Sequence, residues 1–304
     1  MAHAVLPSLG TATPRRRSPL KATTEPLWFR ALLIVTGLTF IALFLLVPLF
    51  VVFYEALAKG VEVYWKSFQD PDTAHAIRLT LTVAAIVVPL NTIFGLTAAW
   101  AISKFEFPGK RALVTFIDLP LWVSPIVAGL MFVILFGREG LLKAYLWNGT
   151  QPVIPILFNT PGIVIATLFV TFPFVARILI PLMQSQGSAE EEAALTLGAR
   201  GWQVFLYVTL PKIRWGLFYG VILCNARAMG EFGAVSAVSG HIQGKTNTMP
   251  LHIQVLAEGY SGMEAAFALS SVLSMLALFT LIVKTTVEWS SERQAKNALE
   301  SSGE

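Results

Sequence analysis

The feature that most constrains this chain is a stretch without a single charge from Ala31 to Phe53. It is long enough for a helix to cross a bilayer, whose hydrocarbon core needs only about 20 apolar residues. In lipid every backbone N–H and C=O must find a partner inside the protein, which leaves the helix or the closed barrel as spanning structures. An uncharged run of this length reads as a helix, and the pattern repeats. Leu79–Ser103 is also uncharged, and further apolar stretches lie at Ala112–Phe136, Ile163–Gln184, Leu217–Val238 and Ala265–Val283. The expected fold class is all-α, a polytopic membrane protein with about six transmembrane helices. Composition agrees, since only 13% of residues are charged, against about 25% in soluble domains. No soluble domain and no internal repeat is legible.

Orientation follows from Lys and Arg, which concentrate in cytoplasmic loops. Of the 22 basic residues, fourteen fall in one alternating set of tails and loops and six in the other, leaving Arg177 and Arg227 inside spans. This places both termini, and the polar loop 185–215, in the cytoplasm of a multi-pass membrane protein. The first span reads as an uncleaved anchor, because no small-residue cleavage site follows it at Tyr54-Glu55-Ala56. The net charge of +4 follows from this topology and makes no case for nucleic acid. Cys224 is the only cysteine and falls within a span, and His3, His75, His241 and His252 have no ligand spacing, so no disulfide framework and no metal site is expected. Residues 1–30, rich in Pro, Ser, Thr and Arg, read as a flexible cytoplasmic tail, 31–287 as the membrane domain and 288–304 as a second cytoplasmic tail. Among the connections, only the loop 185–215 reads as folded.

That loop has a grammar of its own. Ser188 with Glu191 three residues on is a capping-box pattern, which predicts a helix from Ala189. Glu190, Glu191 and Glu192 occupy its first turn, where the helix dipole favours negative charge. Ala193 and Ala194 continue it, and Gly198 can end it in a left-handed conformation. Trp202, Phe205, Leu206 and Thr209 then follow helical spacing toward Leu210 and Pro211, which predicts a second short helix ended by the proline. One reading is an ordinary capped interfacial helix. The other is a compact knob that inserts into a groove on a partner.

Glu192-Ala193-Ala194, Gly198, Val208, Leu210 and Pro211 match the EAA signature, and with it the chain resembles the membrane subunits of type I ATP-binding-cassette importers. Asn225-Ala226-Arg227-Ala228-Met229-Gly230-Glu231-Phe232-Gly233-Ala234, Ser239–Thr248, Ile117-Asp118-Leu119-Pro120 and Val123–Leu130 are similar to the W subunits of sulfate/thiosulfate permeases. The resemblance runs from about residue 30 to 285. It implies the type I importer permease fold, a homologous T permease subunit as partner, two ATPase subunits on the cytoplasmic side and a periplasmic sulfate-binding protein. It implies that Glu192, Ala193, Ala194, Gly198, Trp202, Leu210 and Pro211 couple this chain to the ATPase, that ATP and Mg are bound by the ATPase subunits, and that this chain binds no cofactor and catalyses nothing. Molybdate and tungstate permeases share part of the same signature, and a stand-alone secondary anion transporter is the competing class.

Ionised groups inside a bilayer are costly and usually mark a pair or a pathway. Arg227 and Glu231 stand four apart on one helical face, able to pair, either as a structural clamp or as part of an anion path. Arg177 reads either as a residue snorkelling to the inner interface or as a further candidate for the path. Asp118, Ser124 and Asn225 complete the candidates for a translocation path, as polar groups within spans. Gly240-His241-Ile242-Gln243-Gly244-Lys245-Thr246 comes close to a phosphate-binding loop, but that motif needs four residues between its glycines and this segment has three.

Overall fold

A computed structural model describes residues 26–148, 151–259 and 262–301, with side chains in the last helix up to 286 and at Trp289. The chain divides into two compact units, Met1–Leu49 and Phe50–Glu304. Residues 1–25 of the expected tail lie outside the described residues. Helix α1, Leu27–Leu57, begins within the stretch assigned to that tail. It carries a π-helical turn at Ala42–Leu46, two residues before Pro48. Proline lacks the N–H and its ring crowds the carbonyl four residues back, and a wider π turn there is a known way for a helix to continue past it.

In the second unit, α2 (Val61–Ser67) leads into α3 (Pro71–Lys104). Asp70 caps α3, its carboxylate accepting from the Thr73 N–H at 2.9 Å. Helices α4 (Lys110–Trp122) and α5 (Pro125–Phe136) follow, then α6 (Lys143–Leu146) and a two-residue antiparallel ladder of β1 (Trp147–Asn148) with β2 (Gln151–Pro152). Next come α7 (Thr160–Gln186), α8 (Ala189–Thr196) and α9 (Gly201–Met229). The chain closes with α10 (Gly233–Ser239), α11 (Met249–Glu258) and α12 (Met263–Ser301).

Among the described residues, α1, α3, α7 and the part of α12 up to Thr286 are each long and apolar enough to cross a membrane, and two bent pairs bring the total to six. Pro125 and the glycines at 230 and 233 mark the places where two of the apolar stretches bend. The stretch 112–136 breaks between α4 and α5 with a bend of 107°. Val123 and Ser124 are extended there, at ψ 133° and 132°, because the ring of Pro125 disfavours helix at the residue before it. The stretch 217–238 breaks at 230–232, between α9 and α10, with a bend of 48°. The connections other than 185–215 are also more ordered than expected: α2, α6, the β1–β2 ladder and α11 all lie within them, and Met249, Leu251 and His252 of α11 are buried. The last helix runs without a break to Ser301, through the stretch assigned as the second tail.

The core of the second unit is built by α3, α7, α9 and α10. Leu79, Val83 and Val87 meet Ile163, Ala166, Val170, Ala228, Ala234, Val235 and Val238 in one cluster. Toward the end of α3, Ala99 packs with Val175, Leu179, Met183, Ile213 and Cys224. A buried polar contact ties the same helices together. Asn91 Nδ2 donates to Thr171 Oγ1 at 2.7 Å, and Thr171 donates to the Thr167 carbonyl at 2.6 Å, an arrangement that holds helices together where no water competes.

Candidate functional site

The loop 185–215 holds a network of ion pairs and hydrogen bonds. Gly198 has φ +90°, a left-handed backbone that a side chain would strain, and it reverses the chain after α8. The Ser188–Glu191 capping box does not form: Ser188 occupies the N-cap position with no side-chain cap, and its hydroxyl donates to the Glu192 carboxylate instead. The reason is a stronger claim on Glu191. Lys104 Nζ, on the last residue of α3, lies 2.8 Å from Glu191 Oε1 and 2.9 Å from Oε2, and it donates to the Gly187 carbonyl at 2.6 Å. Thr209 Oγ1 donates to Glu191 Oε1 at 3.0 Å. Both members of the ion pair are nearly withdrawn from solvent, with side-chain exposures of 13% and 12%. A more exposed pair, Lys212 Nζ to Glu190 Oε1 at 2.8 Å, runs alongside.

The second short helix is also different from expectation. Its start matches a half capping box, since Gln203 Oε1 accepts from the Arg200 N–H at 2.7 Å. Pro211 does not end it. Helix α9 runs from Gly201 to Met229, and a π turn at Phe205–Thr209 stands two residues before Pro211, as the π turn in α1 stands before Pro48. The loop is therefore one short helix, a left-handed glycine and the first turns of a span. Glu192 and Ala193 are exposed, Ala194 and Leu210 are half-buried, and Pro211 is exposed. Leu195, Leu197, Trp202, Leu206 and Tyr207 are exposed apolar side chains, Leu197 at 88% and Trp202 at 56%. An apolar patch of this kind on a polar loop is the mark of an interaction site.

Four of the expected path residues form two ion pairs. Arg227 Nη1 lies 2.8 Å from Glu231 Oε2, with Glu231 at 1% side-chain exposure and Arg227 at 34%. The other carboxylate oxygen accepts from the Ala234 N–H at 3.0 Å, so Glu231 satisfies a free donor at the start of α10. The bend between α9 and α10 is packed tightly. A Cβ on Gly233 would come within 2.9 Å of Pro125 Cβ, and one on Gly129 within 2.6 Å of the Ala234 carbonyl, so both positions depend on the missing side chain. Arg177 pairs across helices: its Nε lies 3.4 Å from Asp118 Oδ1. Arg177 thus has a counter-charge beside it while its side chain stays 56% exposed. Ser124 is the N-cap position of α5, without a side-chain cap, and Asn225 is half-buried on α9.

Sequence reasoning missed Glu191, Lys104 and Thr209. Three consecutive glutamates give no way to choose the one that turns inward, and Lys104 and Thr209 lie far from it along the chain. In the structure Glu191 and Ala194, three apart on α8, share the face that turns toward the protein.

Comparison with known proteins agrees with this geometry. The family described as binding-protein-dependent transport system inner membrane component matches residues 91–296. The chain is 46% identical to the sulfate transport system permease protein CysW of Escherichia coli (strain K12), over 89% of this chain and 92% of that protein. It is 35% identical to the CysT permease protein of the same organism, over 81% of this chain and 88% of that one. Its fold is similar to a chain of a bacterial ABC transporter involved in the import of the acidic polysaccharide alginate, with a TM-score of 0.71 at 18% identity, covering 88% of this chain and 96% of the other. The chain belongs to the family of binding-protein-dependent transport system inner membrane components.

Proposed function

We propose that this chain is the W-type permease subunit of an ATP-driven sulfate/thiosulfate importer. It forms half of the translocation path and takes up the closure of a separate ATPase through the loop 185–215. The observation that carries the reading is the exposed apolar face of that loop, with Leu197 and Trp202 outermost, on a base fixed by a nearly buried ion pair. A stand-alone carrier has no use for such a face. The partners are a homologous T-type permease, two ATPase subunits that bind ATP and Mg, and a periplasmic sulfate-binding protein. The likeness of this chain to both W and T proteins supports a pseudo-symmetric pair of permeases. The protein resides in the inner membrane with both termini in the cytoplasm, and hydrolysis occurs on the ATPase alone. In this reading Glu192, Ala193, Ala194, Gly198, Trp202, Leu210 and Pro211 couple the two proteins, while Arg227 and Glu231 fix the bend that shapes the path.

The test is reconstitution of this chain with its partner permease, ATPase and binding protein in proteoliposomes, comparing sulfate, thiosulfate and molybdate as triggers of ATP hydrolysis. Stimulation by sulfate and thiosulfate is expected. Stimulation by molybdate alone would replace sulfate with a molybdate or tungstate cargo, and anion uptake without the ATPase would favour the stand-alone carrier.

A further inference from the structure

Helix α8 is held to the rest of the chain by very little. Of its residues only Glu191 is buried, and the rest of its surface is half-buried or open. Besides the backbone at either end and the half-buried Ala194, the side-chain routes by which force on Leu195 or Leu197 can leave the helix are Glu191 and the more exposed Glu190–Lys212 pair. Glu191 meets the Lys104 ammonium, which also holds the carbonyl of Gly187 at the end of α7, and it meets the hydroxyl of Thr209 within the π turn of α9. One carboxylate thus joins α8 to the ends of α3 and α7 and to the start of α9.

Lys104 is the last residue of α3, a continuous helix of 34 residues, about 50 Å long at 1.5 Å per residue. The opposite end of α3 is tied just as directly. Thr80 Oγ1 accepts from the Met249 N–H at 2.8 Å, and Thr73 Oγ1 lies 3.2 Å from His252 Nε2. Helix α3 therefore links the inner loop to α11 in the outer connection through hydrogen bonds at both ends.

We propose that Glu191, Lys104 and Thr209 are positioning residues for coupling, and that their contact carries motion of α8 into α3 and so to the outer face. This rests on the reading of the loop as the ATPase contact, but it is separable from it. Breaking the joint leaves the apolar docking face of α8 in place and interrupts what lies behind it. A salt bridge of purely structural value would lower assembly, hydrolysis and transport together. A coupling joint lowers transport while hydrolysis continues.

The experiment uses the complete reconstituted assembly, with three readouts: co-purification of the ATPase, ATP hydrolysis, and uptake of labelled sulfate. For Glu191→Gln and Lys104→Met, the ATPase is expected to co-purify and hydrolysis to stay within about twofold, while uptake falls about tenfold. Lys104→Arg should restore most of the uptake, and Lys212→Met should change it by less than about twofold. Parallel loss of hydrolysis and uptake, or unchanged uptake in both variants, would overturn the proposal. Should neither variant assemble, Thr209→Val decides, since it leaves the ion pair intact. It is expected to lower uptake about threefold with hydrolysis unchanged, and unchanged uptake would overturn the proposal. Failure of the parent chain to retain the ATPase would instead sink the coupling reading itself.

Discussion

Glu191 and Glu231 are both buried glutamates paired with one basic residue, yet they are built for different tasks. Glu231 has its partner four residues away, Arg227 on the preceding turn, and its second oxygen accepts from Ala234 in the first turn of the helix that starts two residues later. Every contact is local, and the result is a fixed bend. Glu191 takes Lys104 from 87 residues before it and Thr209 from 18 after it, so it fixes no local shape and joins separate helices. The first arrangement can hold a conformation, and the second can pass a displacement from one element to another. A buried charge pair is weak support for stability taken alone, so the geometry around each carboxylate is what separates the two roles.

The comparison can be broken in order of expected effect. Arg227→Ala should be the most damaging substitution, because it leaves the Glu231 carboxylate buried without a counter-charge. A loss of about 3–5 kcal/mol is expected, seen as a marked drop in thermal stability in detergent and loss of assembly. Normal stability and transport in this variant would remove Glu231 from the bend. Gly198→Pro should abolish ATP-driven uptake with membrane insertion intact, since proline cannot adopt φ +90°. Gly198→Ala should cost about 1–2 kcal/mol, read as partial loss of uptake in the same assay. Trp202→Ala should weaken retention of the ATPase by about tenfold or more, an effect typical of a central aromatic anchor, with no change in the stability of this chain alone. The smallest effect belongs to Asp118→Asn. Its partner Arg177 is 56% exposed and the contact is a single one at 3.4 Å, so stability should fall by about 1 kcal/mol or less. A loss of transport at normal stability would instead place that pair on the anion path.

What the sequence showed and what it hid divide along the same line. The spans were legible because their apolar runs are local, and so was the Arg227–Glu231 pair, which needs only helical spacing. The left-handed glycine after α8 was legible because one residue type dominates that conformation. The breaks at Val123–Ser124 and at 230–232 were legible as places, marked by Pro125 and by Gly230 and Gly233, but the size of each bend was not, since an apolar run looks the same whether it turns by 48° or by 107°. Pro211 misled for a related reason: its usual effect is to end a helix, and a π turn just before it let α9 continue. The Glu191–Lys104–Thr209 joint was hidden because it exists only once α3, α8 and α9 are packed.

The most direct test of the account is the uptake of labelled sulfate into proteoliposomes holding this chain with its partner permease, ATPase and binding protein, measured with and without internal ATP and with Leu197→Asp in parallel. Uptake is predicted to require ATP and the ATPase and to stop when the charge is placed on the loop. Equal uptake without ATP, or undiminished uptake by Leu197→Asp, would contradict it.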